Sequence, residues 1–267
     1  MASKSMWKGS VSFGLVNIPV RVYQATQDRE YSFNQLCPNG HRIQYKRWCP
    51  EEQKEIGYKE IKKGFEISKD KYIAIDKKEI DNIKIKTSKS IDIKEFIEAK
   101  DLDLVLIEKS YFIAPEMRRG VVDKTYVLFA AVLNETNKVA IGKVILKDKE
   151  HVIALRAYQK GIVMHVLHFL DEVRPMDEIE EITQVQKMKI DNKEELSLAN
   201  LLVEKLSTEH FDLSKYSDSY SEELKHLIEA KSKGKTYSKS VEVEKEAPKD
   251  LVAALKASLQ KTKKSKQ

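Results

Sequence analysis

Residues 7–24 read WKGSVSFGLVNIPVRVYQ, and this stretch alternates apolar and polar side chains twice over. The apolar members of the two alternations are Val11 and Phe13, then Val16, Ile18, Val20 and Val22. A period of two residues is typical of a strand with one buried face. The stretch therefore predicts two consecutive β-strands.

Similar short apolar or alternating runs recur through the following 150 or so residues. They are KYIAI (71–75), IKIKTSKSIDI (83–93), DLVLIEKSYFI (103–113), KVAIGKVIL (138–146), HVIALRAY (151–158) and GIVMHVLHFL (161–170). This spacing suits an antiparallel sheet or barrel better than repeated βαβ units. Only two helices are predicted here, YVLFAAVLNET after Asp123 and the shorter DKKEIDNI. We expect residues 1–175 to form one β-barrel core.

The periodicity changes to that of a helix after Pro175. Leu198, Leu202 and Leu206 recur at every fourth position, which predicts a helix with one apolar face. Ser219 and Glu222 have the spacing of a capping box for a second helix, which Gly234 would end. Residues 176–230 are therefore predicted to be a helical C-terminal arm.

The basic character of the chain lies mostly in its last 37 residues. Residues 231–267 hold eleven lysines against four acids, a net charge of +7, which leaves −1 for residues 1–230 out of +6 overall. We expect a flexible tail with a short amphipathic helix at about 248–260. Its apolar stripe is Leu251, Leu255 and Leu259. So short a helix is not stable alone, so the stripe is predicted to dock on a partner.

A second basic segment is LCPNGHRIQYKRWCPEE, residues 36–52. It carries Arg42, Lys46 and Arg47, and no acid lies between its two cysteines. The alternation over residues 42–45 predicts a strand of a hairpin with one basic edge, suited to phosphate. A solvated strand face is the alternative. Tyr45 and Trp48 are expected to brace the hairpin rather than stack on bases.

The same segment contains both cysteines of the chain, too few for a disulfide framework. A four-ligand zinc site here would need Cys37, His41, Cys49 and Glu52, an unusual ligand set. We therefore expect no cofactor, with these four residues as the ligands if zinc is bound.

Several functional classes find no support in the chain. No apolar signal segment opens it, and its longest apolar run, YVLFAAVL, is too short to span a membrane, so an intracellular protein is expected. Gly9 and Gly14 have P-loop spacing, but Leu15 and Val16 stand where Lys and Ser or Thr are required. We expect a protein that is not an enzyme.

Six segments together closely resemble the prokaryotic Ku proteins of DNA end joining. They are WKGSVSFGLVNIPVRVY, RIQYKRWC, KGFEI, EKSYFIAPE, LRAYQKGIVMHVLHFLDEVR and LIEAKSKGK, in the order and approximate spacing of that family, over residues 6–234. The resemblance implies a β-barrel with a bridge at about residues 31–66 that pairs with a second copy into a ring around double-stranded DNA ends. It also implies recruitment of an ATP-dependent DNA ligase with its associated polymerase, in the cytoplasm and nucleoid of a prokaryotic cell.

The resemblance strengthens the DNA-binding interpretation of Arg42, Lys46 and Arg47. Lys8 and Arg21 in the first two strands either line the ring as well or are only polar face residues of the barrel. Many members of that family have a zinc-ribbon-like arrangement in the bridge. In this chain Glu52 occupies the position of the second cysteine of a Cys-x2-Cys pair that would begin at Cys49. Phosphate contacts carry no base information, so binding should be independent of sequence. Two alternatives stay open, a zinc-ribbon enzyme that processes nucleic acid and a barrel scaffold that does not bind DNA.

Overall fold

The opening stretch forms the antiparallel pair β1 (Trp7–Phe13) and β2 (Val16–Gln24), as predicted. Gly14 makes the connecting turn with φ 56°, a left-handed conformation that favours glycine. Val11, Ile18, Val20 and Val22 are buried on one face of the pair. The period-two pattern therefore corresponds to the inward face of a sheet.

The computed structural model describes residues 4–27, 29–83, 89–117, 120–147, 149–185, 187–189 and 191–237, together with 252, 254–256 and 258. The chain divides into two compact units, Met1–Arg174 and Pro175–Gln267.

A closed barrel dominates the first unit. Its other strands are β7 (Ser90–Glu98), β8 (Ile107–Pro115), β9 (Lys138–Leu146), β10 (Lys149–Tyr158) and β11 (Gly161–Leu167). The seven described strands follow the order β1-β2-β8-β11-β10-β9-β7 around the barrel.

The prediction of an antiparallel barrel is correct for six of the seven described pairings and wrong for one. β1 and β7 run parallel, with Ser10, Val11 and Ser12 opposite Ser90, Ile91 and Asp92. Strand directions can alternate all the way around a closed barrel only if the number of strands is even. Seven strands therefore require at least one parallel pair, which periodicity within single strands does not reveal.

Helix α2 (Lys124–Thr136) packs against the barrel core, and it confirms the helix predicted after Asp123. The Asp123 carboxylate caps it by accepting a hydrogen bond from Thr125 N at 2.9 Å. Tyr126, Phe129 and Leu133 are buried. The Tyr126 hydroxyl donates to Ile113 O at 2.6 Å, and burial raises the pKa of this phenol.

A second, smaller core lies against strands of the same barrel. Val139, Ala154 and Leu167 pack there beneath apolar side chains of the connection between β7 and β8, including Leu102 and Leu106. This explains why every residue of β11 from Ile162 to Leu167 is buried, since both of its faces are covered. It also explains why the side chains of that strand are apolar on both faces except at His165.

The segment between β2 and β7 folds differently. It forms two small antiparallel sheets, β3 (Trp48–Cys49) with β4 (Lys54–Glu55) and β5 (Lys63–Ser68) with β6 (Lys71–Ile75), followed by the predicted helix α1 (Lys77–Ile83). None of the residues described here between Tyr23 and Ile91 is buried. We call residues 29–83 the bridge segment.

The second unit is helical, with α3 (Glu180–Val185), α4 (Lys193–Leu206) and α5 (Ser219–Ser232). The helix predicted around Leu198 is confirmed, but the capping box at Ser219 is wrong. Asp218 caps α5, accepting from Tyr220 N and Ser221 N at 3.0 and 3.2 Å, so Ser219 is already the first helical residue. A carboxylate also interacts favourably with the helix dipole at this end.

The core position Leu133 offers a test of how tightly α2 is packed against the barrel. Leu133→Ala should lower the free energy of unfolding by about 2–5 kcal/mol because it leaves a cavity in a close-packed interior. Val132→Ala on the same helix, where the side chain is 43% exposed, should cost far less. Urea unfolding at one fixed protein concentration measures both, and equal losses would contradict the assigned packing of α2.

Candidate nucleic-acid interface

The first half of the bridge segment is built from two tight reversals of the chain. In the first, Cys37 N donates to His41 O at 2.8 Å and Ile43 N donates to Gln35 O at 3.0 Å, around a turn at Gly40 with φ 81°. In the second, Ile56 N donates to Arg47 O at 2.8 Å beside the β3–β4 pair. Each reversal carries one cysteine next to its turn.

The strand predicted over residues 42–45 is wrong. Arg42 forms only an isolated bridge with Leu36, and backbone pairing across this reversal ends at Ile43. The regular pairing begins later, at Trp48. The alternation of side chains is real, but too few backbone hydrogen bonds join the two sides to make a ladder.

The three cations predicted in this segment are all exposed, and they differ in their partners. Lys46 Nζ lies 3.2 Å from Glu55 Oε2, an ion pair on two exposed side chains. The Arg47 guanidinium carbon lies 5.1 Å from the centre of the Tyr58 ring, a cation–π contact. Arg42 forms no ion pair among the described residues. Arg42 is therefore the cation best placed to meet a phosphate without losing an existing contact.

Lys8 and Arg21 lie opposite each other in the β1–β2 register and share one carboxylate. Lys8 Nζ pairs with Glu116 Oε1, and Arg21 Nη2 lies 3.5 Å from the same oxygen. The hydrogen bond from Lys8, with the charge of Arg21 beside it, lowers the pKa of Glu116. The cluster keeps one net positive charge. Sequence reasoning missed Glu116, although it ends the quoted motif EKSYFIAPE.

The four residues considered as zinc ligands are not gathered around one point in the described part of the chain. Cys37 Sγ lies 3.7 Å from His41 Nδ1, but Glu52 is 2.6 Å from Lys54 Nζ, and their hydrogen bond raises the pKa of Lys54. Within the described part of the chain, no three His, Cys, Asp or Glu side chains are placed to hold a metal ion.

The aromatic residues of the segment are exposed. Tyr45 donates its hydroxyl to Gln35 Oε1 across the first reversal, although its side chain is 76% exposed. Trp48 is 55% exposed at the start of β3. The contact of Tyr45 fits the bracing role that was predicted.

The predicted run KYIAI is strand β6 of a second hairpin in the bridge segment, whereas sequence reasoning missed its partner strand β5 and the exposed apolar side chains that the two strands carry. Phe65 pairs directly with Ile73, and Tyr72 and Ile67 stand nearby, all more than half exposed. The alternating large apolar residues in KGFEI and KYIAI could have indicated an apolar sheet face that another molecule covers.

The helical arm of the second unit also exposes large apolar side chains. Leu196, Leu201, Val203 and Leu206 of α4 are exposed, and so are Phe211, Leu213 and Tyr216 between α4 and α5. No described residue after Leu167 is buried. None of the described helices has the length and apolar character of a membrane span.

The terminal helix is described only in part. Residues 252, 254–256 and 258 are helical, Leu255 is half-buried, and Lys256 Nζ lies 3.0 Å from Glu194 Oε1 of α4. Leu251 and Leu259, as well as most of the predicted flexible tail, lie outside the described residues. Lys231 and Ser232, assigned to that tail from the sequence, belong to α5.

Comparisons with known proteins agree with this architecture. The family model of the Ku70/Ku80 beta-barrel domain matches residues 12–198. A protein of Archaeoglobus fulgidus named Non-homologous end joining protein Ku is 40% identical over 261 residues, covering 97% of this chain and 100% of the relative.

Proteins of the same name from Heliobacterium modesticaldum and Bacillus subtilis are 35% and 32% identical. The matches cover 98% and 97% of this chain, and 94% and 82% of those relatives. No catalytic activity is indicated by any of these matches. The barrel, the family match and the relatives together show that this chain belongs to the Ku family of non-homologous end joining proteins.

Proposed function

We propose that two copies of this chain form a ring that threads onto the ends of double-stranded DNA without reading its sequence. The ring holds the ends for an ATP-dependent DNA ligase and its associated polymerase, and it catalyses no reaction itself. The observation that carries the proposal is the distribution of burial. The barrel is packed, whereas the bridge segment and the arm bury no described side chain and expose large apolar ones.

The arm supports a second copy as the partner. A 14-residue helix such as α4 is marginal in water unless its apolar face is covered. The exposed fractions of Val203, Leu206 and Phe211 are 65, 61 and 76%. Several large apolar side chains exposed within one short stretch of chain are typical of an interaction surface. A symmetric dimer covers the same surface on both chains at once.

The cations of the bridge segment support DNA as the molecule that is encircled. Arg42 is free of carboxylates among the described residues, and Lys46 and Arg47 are exposed beside it. Side chains of this type bind the phosphate backbone with an affinity that depends on salt and not on base sequence. Lys8 and Arg21 are weaker candidates because Glu116 already neutralises one of their two charges.

Recruitment of the ligase is assigned to the terminal helix. The Leu251, Leu255 and Leu259 stripe has the spacing of an amphipathic helix that docks in a groove. The names of the relatives place them in non-homologous end joining, a process that must seal the ends it joins.

The topology of DNA tests the ring directly. Linear duplex should compete for binding far better than the same duplex as a covalently closed circle, because a closed ring loads only at a terminus. Blocking both ends after loading should trap protein on the linear DNA. Equal competition by the circle would exclude encirclement, altered DNA would indicate an enzyme, and no binding at all would favour a scaffold.

The bridge cations are tested by paired variants. Arg42→Ala should reduce the slope of log K against log salt by roughly 1 for each copy, equally on every DNA sequence. Glu55→Gln should strengthen binding because it releases Lys46 from its carboxylate partner. Fluorescence anisotropy over a salt series measures both. Unchanged slopes with Arg42→Ala would show that this side chain faces solvent in the complex.

The tail is tested by a chain that ends after Tyr237, which keeps α5 and its closing turn at Gly234. It should keep the dimer and the preference for ends, lose part of the salt slope, and stimulate ligation less than the full chain. Leu255→Ser in the full chain, which changes no charge, should reduce the stimulation alone and leave the salt slope unchanged. Loss of end preference in the shortened chain would assign recognition of the break to the tail.

A further inference from the structure

A cavity of about 320 Å³ lies beside the smaller core of the barrel unit. It is bounded by the connection between β7 and β8, by the end of α2, and by strands β9, β10 and β11. Its volume is at the lower end of the range of small-molecule sites. Leu102, Leu104 and Ile107 make one wall apolar.

Arg156 places a positive charge in this cavity. Its Nε donates to His165 Nε2 at 3.0 Å and its Nη1 donates to Ala157 O at 3.4 Å. The guanidinium carbon lies 5.6 Å from the centre of the Tyr158 ring. Throughout the described residues, no carboxylate pairs with this half-buried cation. Removing a charge from water is costly without an opposite charge, so this site favours an anion.

His165 holds Arg156 in place. It is buried, and its Nδ1 lies 2.8 Å from Ser110 Oγ. Because the guanidinium donates to Nε2, the imidazole is neutral and carries its proton on Nδ1, which donates to Ser110. Burial, with Arg156 beside it, lowers the pKa of His165 and keeps it neutral. Only two of the five N–H groups of Arg156 are used by these contacts, so three remain for a ligand.

The remaining polar lining fits the same chemistry. Asn134 and Asn137 carry exposed side-chain amides at the end of α2, and amide N–H groups donate to anions. Lys138 also lines the cavity, but its Nζ pairs with Glu98 Oε1 at 2.5 Å. Arg156 therefore supplies the uncompensated charge of the site.

We propose that this cavity binds a small molecule with a phosphate group and an apolar body, the phosphate on Arg156 and the body against the leucine-lined wall. The concave shape and the apolar wall favour a small phosphate ester over a phosphate of duplex DNA, which is flanked on both sides by more backbone. All residues of this cavity belong to the barrel unit, so its ligand binding does not depend on whether two copies form a ring.

The test is calorimetric titration of the full chain, without DNA, with phenyl phosphate, inorganic phosphate and phenol. Phenyl phosphate should bind one per chain and more tightly than either of the other two. Arg156→Gln should weaken it at least about tenfold, because hydrogen bonds to a charged group are lost. Lys160→Gln removes an exposed positive charge on the β10–β11 turn, outside the cavity, and should change nothing.

Asn134→Asp provides a variant whose folding is not at risk, since Asn134 is exposed on α2. The new carboxylate should repel the phosphate and compete for Arg156, so binding should fall severalfold. The melting temperature should fall only slightly, by the small cost of a negative charge in the last turn of α2. Equal affinity of Asn134→Asp and the natural chain would overturn the site, as would phenol binding as tightly as phenyl phosphate. Displacement of phenyl phosphate by a short duplex would overturn the small-molecule assignment in favour of DNA.

Discussion

The parallel contact between β1 and β7 is the constraint on which the rest of the structure depends. An odd number of strands cannot close with antiparallel neighbours throughout, so the described barrel needs this seam. The seam is tight. A Cβ added at Gly9 would lie 2.2 Å from Lys89 O, so only glycine lets β1 approach the backbone just before β7 this closely. Ser10 N donates to the same carbonyl oxygen at 2.9 Å and locks the contact.

The closed barrel also explains why the other parts of the chain are left so exposed. With no free edge, the barrel offers no strand on which the bridge segment could extend the sheet. The described residues of that segment and of the arm consequently bury nothing in a single copy. Local stability must fall steeply from the barrel to these parts, because few apolar contacts hold them. In the ring proposed above, these segments would gain their order from the second copy.

Much of this fold could be predicted from side-chain periodicity, because each strand or helix carries its own pattern. The pair β1 and β2 and the helix capped by Asp123 are local features of this kind. The parallel seam could not be predicted, since it joins residues about 80 positions apart. The same holds for the site. The cations of the candidate DNA-binding site can be recognised in the sequence. Which carboxylates pair with them, Glu116 with Lys8 and Glu55 with Lys46, is known only from the structure.

The strand order also has a consequence for synthesis on the ribosome. The hairpin β1–β2 leaves the ribosome first, yet its neighbours β8 and β7 end at Pro115 and Glu98. At a rate of about 5 to 20 residues per second, both edges of the hairpin stay unpaired for on the order of 5 to 20 seconds. Exposed edges template pairing with other chains. The nascent barrel is therefore most open to edge-to-edge pairing with other chains before β7 and β8 emerge.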